Sequence, residues 1–532
     1  MRASLLSGLL ALGLIVGIVA AALTALLLAA GEGTGLRATL ADPYLWRVAR
    51  FTLLQAGLST LLSVGFAIPV ARALARRPAF PGRRLLLTLF ALPLALPALV
   101  VVLGVVQVWG RNGWASALIR AAGIYAPLDV YGLTGILIAH IFFNMPLAAR
   151  LLIAHLDRIP GDSWRLASQL GMPSSSIFRL IEWPALRAGL PGAALLVFML
   201  CVASFTVVLT LGGGPSATTI EVAIYQALRF DFDPQRAVTL SLMQLVLTLA
   251  VFAVGGRFAL PLAVTADLGR KGMRPDAAGL SARIGDALVI GAAGLFLLLP
   301  LGALSAAALA APFAKLAGEP VVQRALLTSL VIAATAAILS VLLAWALVKA
   351  AAAARARPGW GWLAKAAEAG GSVVLVMPPI VIGAGLFVLL RQWADVFALA
   401  PAIVIAINAL MAIPYGSRIL GPALAEAAQA HDRLAQSLGI GGWSRFRLID
   451  WPTLRKPFGL AVAFAAAVSL GDLGAIALFG SESVVTLPLL LLQRMGSYRS
   501  ADAEGLAALL SLLCLCLVMA ADAFGARRSA RP

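Results

Sequence analysis

The sequence predicts an all-α polytopic membrane protein, with about twelve transmembrane helices in two parallel six-helix repeats. Three observations predict it. Of the 532 residues, 61% are hydrophobic and only 12% charged, with a mean hydropathy of +0.97; a soluble globular domain carries about 25% charged residues. Apolar runs long enough to span a bilayer recur along the whole chain. The third observation is an internal repeat. Residues 165–187 (RLASQLGMPSSSIFRLIEWPALR) and 433–455 (RLAQSLGIGGWSRFRLIDWPTLR) align without a gap, identical at 14 of 23 positions. Pro146 and Pro414 share the same offset of 268 residues, almost half the chain, so two homologous halves are implied.

The first span is the clearest. Ala3–Ala30 holds no charged residue over 28 positions, whereas a signal-peptide apolar region runs about 7–15 residues. This segment therefore stays and spans. The remaining first-half helices are expected near 51–71, 85–109, 131–154, 189–211 and 237–256. The second half follows with 285–311, 325–348, 371–390, 397–417, 457–479 and 505–526. The domains read as 1–258 (first half, repeated loop 157–187), a linker 259–284 containing Gly, Pro and Arg, and 285–532 (second half, repeated loop 425–456).

Charge sets the orientation. With Arg2 inside, one side of the membrane holds 29 of the 41 Lys and Arg residues, including both repeated loops, the linker and the tail residues Arg527, Arg528 and Arg531. Positive charge prefers the cytoplasm, so both termini and both loops are expected there. The net charge of +18 is thereby topological, and no nucleic-acid partner is implied. Six helices per half give both halves the same orientation, as in parallel repeats about an axis along the membrane normal. The outer connections 212–236 and 480–504 are expected to form short re-entrant or surface helices.

Other chemistries find little support. Cys201, Cys514 and Cys516 lie in apolar stretches without a CxxC pair and read as packing residues. His140, His155 and His431 are scattered without metal-ligand spacing, which disfavours a membrane enzyme or a metal centre. None of the five lysines follows a glycine, so the chain contains no GxxxxGK[ST] phosphate loop.

Each repeated loop is read as a short amphipathic helix, a glycine turn at Gly171 or Gly439, and a second turn ending at Trp-Pro, where Pro184 or Pro452 opens the next membrane helix. Leu166, Leu170, Ile177, Phe178 and Ile181 stand beside basic residues, and such a face needs a cover, either a partner groove or the bilayer surface.

The pattern resembles the EAA loop of binding-protein-dependent ABC importer permeases. The family reads Glu-Ala-Ala, three residues, Gly, then about nine residues to Ile-x-x-Pro. Ala167, Gly171, Ile181 and Pro184 match, as do Ala435, Gly439, Ile449 and Pro452. Arg165 and Arg433 stand where the family has Glu, and Leu166 and Leu434 where it has its first Ala. YGLTGILIAHIFFNMPLAARLL, GGGPSATTIEVAIYQAL, DFDPQRA and GSYRSADA further resemble fused thiamine and thiamine-pyrophosphate permeases; ferric-iron permeases are also fused.

The resemblance implies a type I ABC importer permease, a non-enzymatic subunit of the bacterial inner membrane, moving thiamine or its phosphates from periplasm to cytoplasm. It implies an ATP-binding subunit, expected as a homodimer, and a periplasmic thiamine-binding protein. ATP and Mg²⁺ belong to the partner, and this chain carries no cofactor. The coupling residues carried over are Ala167, Leu170, Gly171, Phe178, Pro184, Ala435, Leu438, Gly439, Phe446 and Pro452. The double Glu-to-Arg change implies an ATPase docking surface of altered charge.

Polar side chains inside spanning helices are pathway candidates. His140 and Asn408 occupy equivalent positions in the two halves, Asn144 lies one turn beyond His140, and Asp472 sits late in the eleventh helix between glycines. A carboxylate such as Asp472 offsets the charge of a cation like thiamine; the alternative is interhelical hydrogen bonding, or a helix end in the headgroup region. Glu221, Asp231 and Asp233 are read in an outer loop, either against a delivering protein or simply solvated. An ion-driven secondary transporter is the rival class, and the scarcity of intramembrane carboxylates disfavours it.

Overall fold

A computed structural model describes residues 2–31, 41–124, 129–212, 214–256, 274–371, 377–440 and 442–526. Among the described residues the regular structure is entirely helical. The first half contains α1 (Arg2–Gly31), α2 (Pro43–Arg76), α3 (Arg83–Ala95), α4 (Ala98–Trp109), α5 (Trp114–Ala121), α6 (Leu133–Leu156), α7 (Gly161–Gln169), α8 (Ser174–Val202), α9 (Phe205–Leu211), α10 (Ile220–Arg229) and α11 (Pro234–Gly256). The second contains α12 (Leu280–Ala310), α13 (Phe313–Gly318), α14 (Pro320–Arg355), α15 (Gly361–Gly370), α16 (Pro379–Leu390), α17 (Ala400–Ser437), α18 (Gly442–Gly471), α19 (Gly474–Phe479), α20 (Leu487–Gly496) and α21 (Ser500–Ala526). The basic tail from 527 and most of the linker lie outside the described residues.

Eleven of the described segments are long and apolar enough to cross a membrane, and α16, with 12 residues, is a shorter apolar helix. The expected unbroken span 85–109 is two helices, α3 and α4, parted at Leu96–Pro97. In the second half α15 and α16 are likewise separate, and α16 starts beside Pro378; residues 372–376, part of the expected span 371–390, are outside the described residues. Proline has no N–H to continue a helical ladder, which accounts for the breaks at Pro97 and Pro378.

Two other expected spans are also interrupted. Segment 189–211 is the end of α8 plus a separate α9, divided at Ala203–Ser204. Segment 457–479 is the end of α18 plus α19, divided at Asp472–Leu473. Asp472 therefore occupies a helix break in extended backbone (φ −71°, ψ 128°), not a helix interior. Helix 397–417 in turn runs on to Ser437.

The halves interlock. α1, from the first half, packs against α14 and α16 of the second, while α12, from the second, packs against α2 and α4 of the first. Small residues let these backbones approach. A Cβ on Gly385 would sit 2.5 Å from the Ala22 carbonyl oxygen, and one on Gly104 would sit 2.8 Å from that of Pro300. Such close approach is how helices associate in lipid, where hydrophobic burial gives little advantage.

The expected short outer helices are α10 and α20, but each is tucked into the bundle with most residues buried. Each first turn is capped from the long helix of its own half. The Ile220 N–H donates to Thr52 Oγ1 at 3.0 Å, and the Leu487 N–H donates to Ser329 Oγ at 2.8 Å. In a bilayer a free helix-terminal N–H finds no water, so these hydroxyls satisfy donors that would otherwise be orphaned.

Candidate functional site

Two arrangements concentrate polar chemistry, the repeated loops and a cavity between the halves. The loops match the sequence reading in the short helix of the first copy and differ from it in two respects. In the first copy, α6 ends near Asp157, and a new helix, α7, starts beyond Pro160. In the second copy the equivalent of Pro160 is Ala428, and α17 continues unbroken to Ser437, so no separate short helix exists there. Finally, the membrane helix starts before Trp-Pro, at Ser174 and Gly442, so Pro184 and Pro452 lie inside α8 and α18. The cost is absorbed by a widened π turn. Trp183 N–H bonds the Phe178 carbonyl and Trp451 N–H that of Phe446, five residues back in each copy.

Gly171 (φ +59°) and Gly439 (φ +64°) both adopt the left-handed conformation that ends a helix. Beyond them the chain folds back on itself. Ala167 and Ala435 are fully buried, Ala167 within a small core with Trp164 and Ile177. Phe178 is folded under the Arg72 guanidinium (4.7 Å), as Phe446 is near Lys349 Nζ (5.7 Å). Of the carried-over residues, Leu170 and Leu438 stand out, 66% and 63% exposed. Leu166 with Leu434 and Leu180 with Leu448 extend the same exposed face in both copies. Arg165 and Arg433 are exposed beside it; Arg165 makes a surface ion pair with Asp162, of little energetic weight.

Behind this face lies an ion-pair arrangement that sequence reasoning missed. Glu182, fully buried, accepts from Arg72 Nε at 2.6 Å and pairs with Arg274. Its counterpart Asp450 accepts from Lys349 Nζ at 3.0 Å and lies 3.5 Å from Arg445 Nε. Arg72 and Lys349 occupy the C-terminal regions of α2 and α14, so each loop is tied to the long helix of its own half. The first copy has more. Arg76 bonds Asp276 (2.8 Å) and Asp286 (3.4 Å), Arg77 bonds Asp286 (2.9 Å), and Arg274 also stacks on Trp164 at 4.3 Å. Among the described residues, the end of the linker thus packs onto the first loop.

The second arrangement is a cavity of about 310 Å³ whose lining draws on both halves. His140, Asn144 and Asp472, picked from sequence, all line it. His140 is held on both ring nitrogens, Nδ1 to Ser59 Oγ and Nε2 to Ser204 Oγ, each at 2.8 Å. Asn144 donates to Cys201 Sγ at 3.3 Å. Asn408 is buried and donates to Ser469 Oγ at 2.9 Å, but it is not part of the lining. The Asp472 carboxylate accepts from the backbone N–H groups of Gly474 and Ala475, both at 3.2 Å, capping α19. Among the glycines beside it, a Cβ on Gly471 would press on Pro97 at 3.2 Å.

Glu221 is the principal surprise. Far from being solvated in an outer loop, it sits in the first turn of α10, is 1% exposed, and joins the cavity lining. Asp231 and Asp233 are exposed, in keeping with solvated charges. A signal for Glu221 was present in the sequence. TTIEVAIYQAL places one acid in an otherwise apolar amphipathic run, which a loop exposed to water does not require. Among the described residues no His, Cys, Asp and Glu grouping suited to a metal ion occurs.

Comparison with known proteins agrees with this architecture. Residues 350–527 match the family described as binding-protein-dependent transport system inner membrane component. The chain is 53% identical over 530 residues to the thiamine transport system permease protein ThiP of Brucella abortus, covering 98% of this chain and 95% of that protein. ThiP of Escherichia coli is 45% identical over 476 residues (90% and 88% covered), and ThiP of Haemophilus influenzae is 40% identical over 484 (90% and 88%).

Proposed function

We infer the function from the premise that this chain belongs to the family of thiamine transport system permeases. It is the membrane-spanning permease subunit of an ATP-binding-cassette importer for thiamine, a multi-pass protein of the inner membrane. The observation that carries this reading is similarity over nearly the full length to several such permeases. The fold supports it with two equivalent loops that present matched leucines from otherwise packed structures.

The ATP-binding subunit, as a homodimer, docks on the two repeated loops from the cytoplasmic side, where both termini also lie. Leu166, Leu170 and Leu180, with Leu434, Leu438 and Leu448, supply the apolar contact. Ala167, Phe178, Pro184 and their counterparts Ala435, Phe446 and Pro452 shape the loop from behind. Gly171 sets the turn between α7 and α8, and Gly439 that between the end of α17 and α18. Movement of a docked loop passes to α2 through Glu182–Arg72 and to α14 through Asp450–Lys349. A periplasmic thiamine-binding protein delivers substrate to the opposite face. The cavity lined by His140, Asn144 and Asp472 is the segment of pathway captured here, and Asn408 stabilises the packing of α17 on α18 beside it.

Proteoliposomes test this directly. Vesicles with this chain alone should not accumulate labelled thiamine, whereas vesicles with the ATPase subunit and an enclosed ATP supply, given the binding protein outside, should. Uptake by the chain alone that an uncoupler abolishes would replace this reading with an ion-driven carrier.

A further inference from the structure

The cavity between the halves carries an electrostatic imbalance. Two carboxylates, Glu221 and Asp472, face it together with His140, and no Lys or Arg is among the described residues that line it. Asp472 is partly engaged by the two amides it caps. Glu221 is different: it is 99% buried by area, and its Oε1 has no hydrogen-bond partner. A buried carboxylate without a donor is costly, and native structures retain such groups mainly where a ligand or a function needs them.

The rest of the lining fits an organic cation rather than a bare metal ion. Phe143 and Phe205 supply aromatic surface, which attracts cations across its faces. His140 is locked by two serine hydroxyls and has no ring nitrogen free for coordination. The volume of about 310 Å³ is at the lower end of the range for small-molecule sites, roughly 300–1,000 Å³.

We propose that Glu221 and Asp472 form a substrate site within the permease itself, selective for a small aromatic cation, with Glu221 as the counter-charge. The proposal rests on the thiamine reading above, since thiamine joins a permanently charged thiazolium ring to a neutral aminopyrimidine. Glu221 sits on α10 in the first half and Asp472 at the α18–α19 break in the second. A cation bound between them draws on both halves at once, and rocking the halves apart separates its two counter-charges. Release is then built into the same motion that opens the pathway.

The test uses the permease–ATPase complex in lipid nanodiscs, without the binding protein. Labelled thiamine is the probe, and thiochrome, its uncharged oxidation product of similar size, is the control. The wild-type complex should bind thiamine at least tenfold more tightly than thiochrome. Glu221→Gln and Asp472→Asn should abolish that preference, and Glu221→Asp should restore part of it. Binding of thiamine by Glu221→Gln as tight as in wild type would overturn the proposal.

A second arm needs no variant. Dicyclohexylcarbodiimide, which attacks carboxyls in membrane interiors, should label Glu221 in the wild-type complex, and thiamine but not thiochrome should protect it. Labelling of Glu221 undiminished by saturating thiamine would also overturn the proposal. The two readings fail separately: a wild-type complex that imports no thiamine removes the assigned substrate, whereas import with unaltered variant binding removes only the site.

Discussion

Arg72 and Glu182, 110 residues apart in sequence, meet at 2.6 Å beneath the first repeated loop, and Lys349 and Asp450 repeat the contact at 3.0 Å beneath the second. Both acids are buried to within 1% of their area, so each loop is bolted to its long helix through a charge that water does not reach. Exposed pairs contribute about 1 kcal/mol or less. Removing one member of a fully buried pair strands the other, at about 3–5 kcal/mol; Arg72 and Lys349 are 23% and 27% exposed, so the cost here falls between these two ranges.

Glu182→Gln and Asp450→Asn should therefore lower the thermal stability of the purified permease and weaken thiamine uptake more than ATPase binding. The informative readout is the ratio of thiamine imported to ATP hydrolysed. A fall in that ratio with the complex still assembled marks lost transmission; an unchanged ratio would limit these pairs to a structural role.

The glycine turns come next. At φ near +60° a residue with a Cβ pays about 1–2 kcal/mol, and Asn pays less than Ala. Gly171→Ala combined with Gly439→Ala should leave the protein in the membrane but impair uptake, with the Asn pair less affected. Equal uptake by wild type and the Ala pair, measured in cells at matched permease abundance, would detach these turns from coupling.

Exposed and buried positions in the same loop should separate cleanly. Leu170→Ser with Leu438→Ser removes apolar surface that faces outward, so stability should change by no more than about 0.5 kcal/mol while co-purification of the ATPase falls. Ala167→Leu overpacks a filled core and should cost about 1–3 kcal/mol whether or not the partner is present. Finding the reverse pattern in melting and pull-down data would invert the assignment of the two faces.

The hydroxyl caps give a prediction that no sequence motif suggests. Thr52→Val keeps the shape of the side chain but leaves the Ile220 N–H without its acceptor, at a cost of about 1–3 kcal/mol. Ser329→Ala should act alike on Leu487. Because α10 carries Glu221, the first change should weaken thiamine binding as well as lower Tm, and the second should lower Tm alone. A calorimetric melt and one binding isotherm per variant decide it.

Much of this molecule was legible because its strongest signals are local. Apolar length marks a span wherever the chain folds, and a glycine that ends a helix does so through its own backbone, which is why Gly171 and Gly439 could be read directly. The breaks at Pro97 and Pro378 were also local but were overridden by uninterrupted hydropathy on either side. What sequence could not reveal was made by tertiary contact. Arg72 and Lys349 are 277 residues apart, not 268, so an ungapped repeat does not align them. Glu221 looked like one more outer-loop acid because its burial comes from α10 folding back between the halves. Pro184 looked like the start of a helix because a proline tolerated inside one needs the π turn at Phe178–Glu182, and that turn has no separate spelling.

The exchange of first helices has a consequence for how the molecule comes apart. α1 closes the second half against α14 and α16, and α12 closes the first against α2 and α4. Neither six-helix set is complete with its own residues, so damage to one exposes helix surface in the other. Unfolding should be a single cooperative event rather than two. A chain cut within residues 257–273 should yield fragments that become whole only by finding each other in the bilayer, with each donating its leading helix to its neighbour.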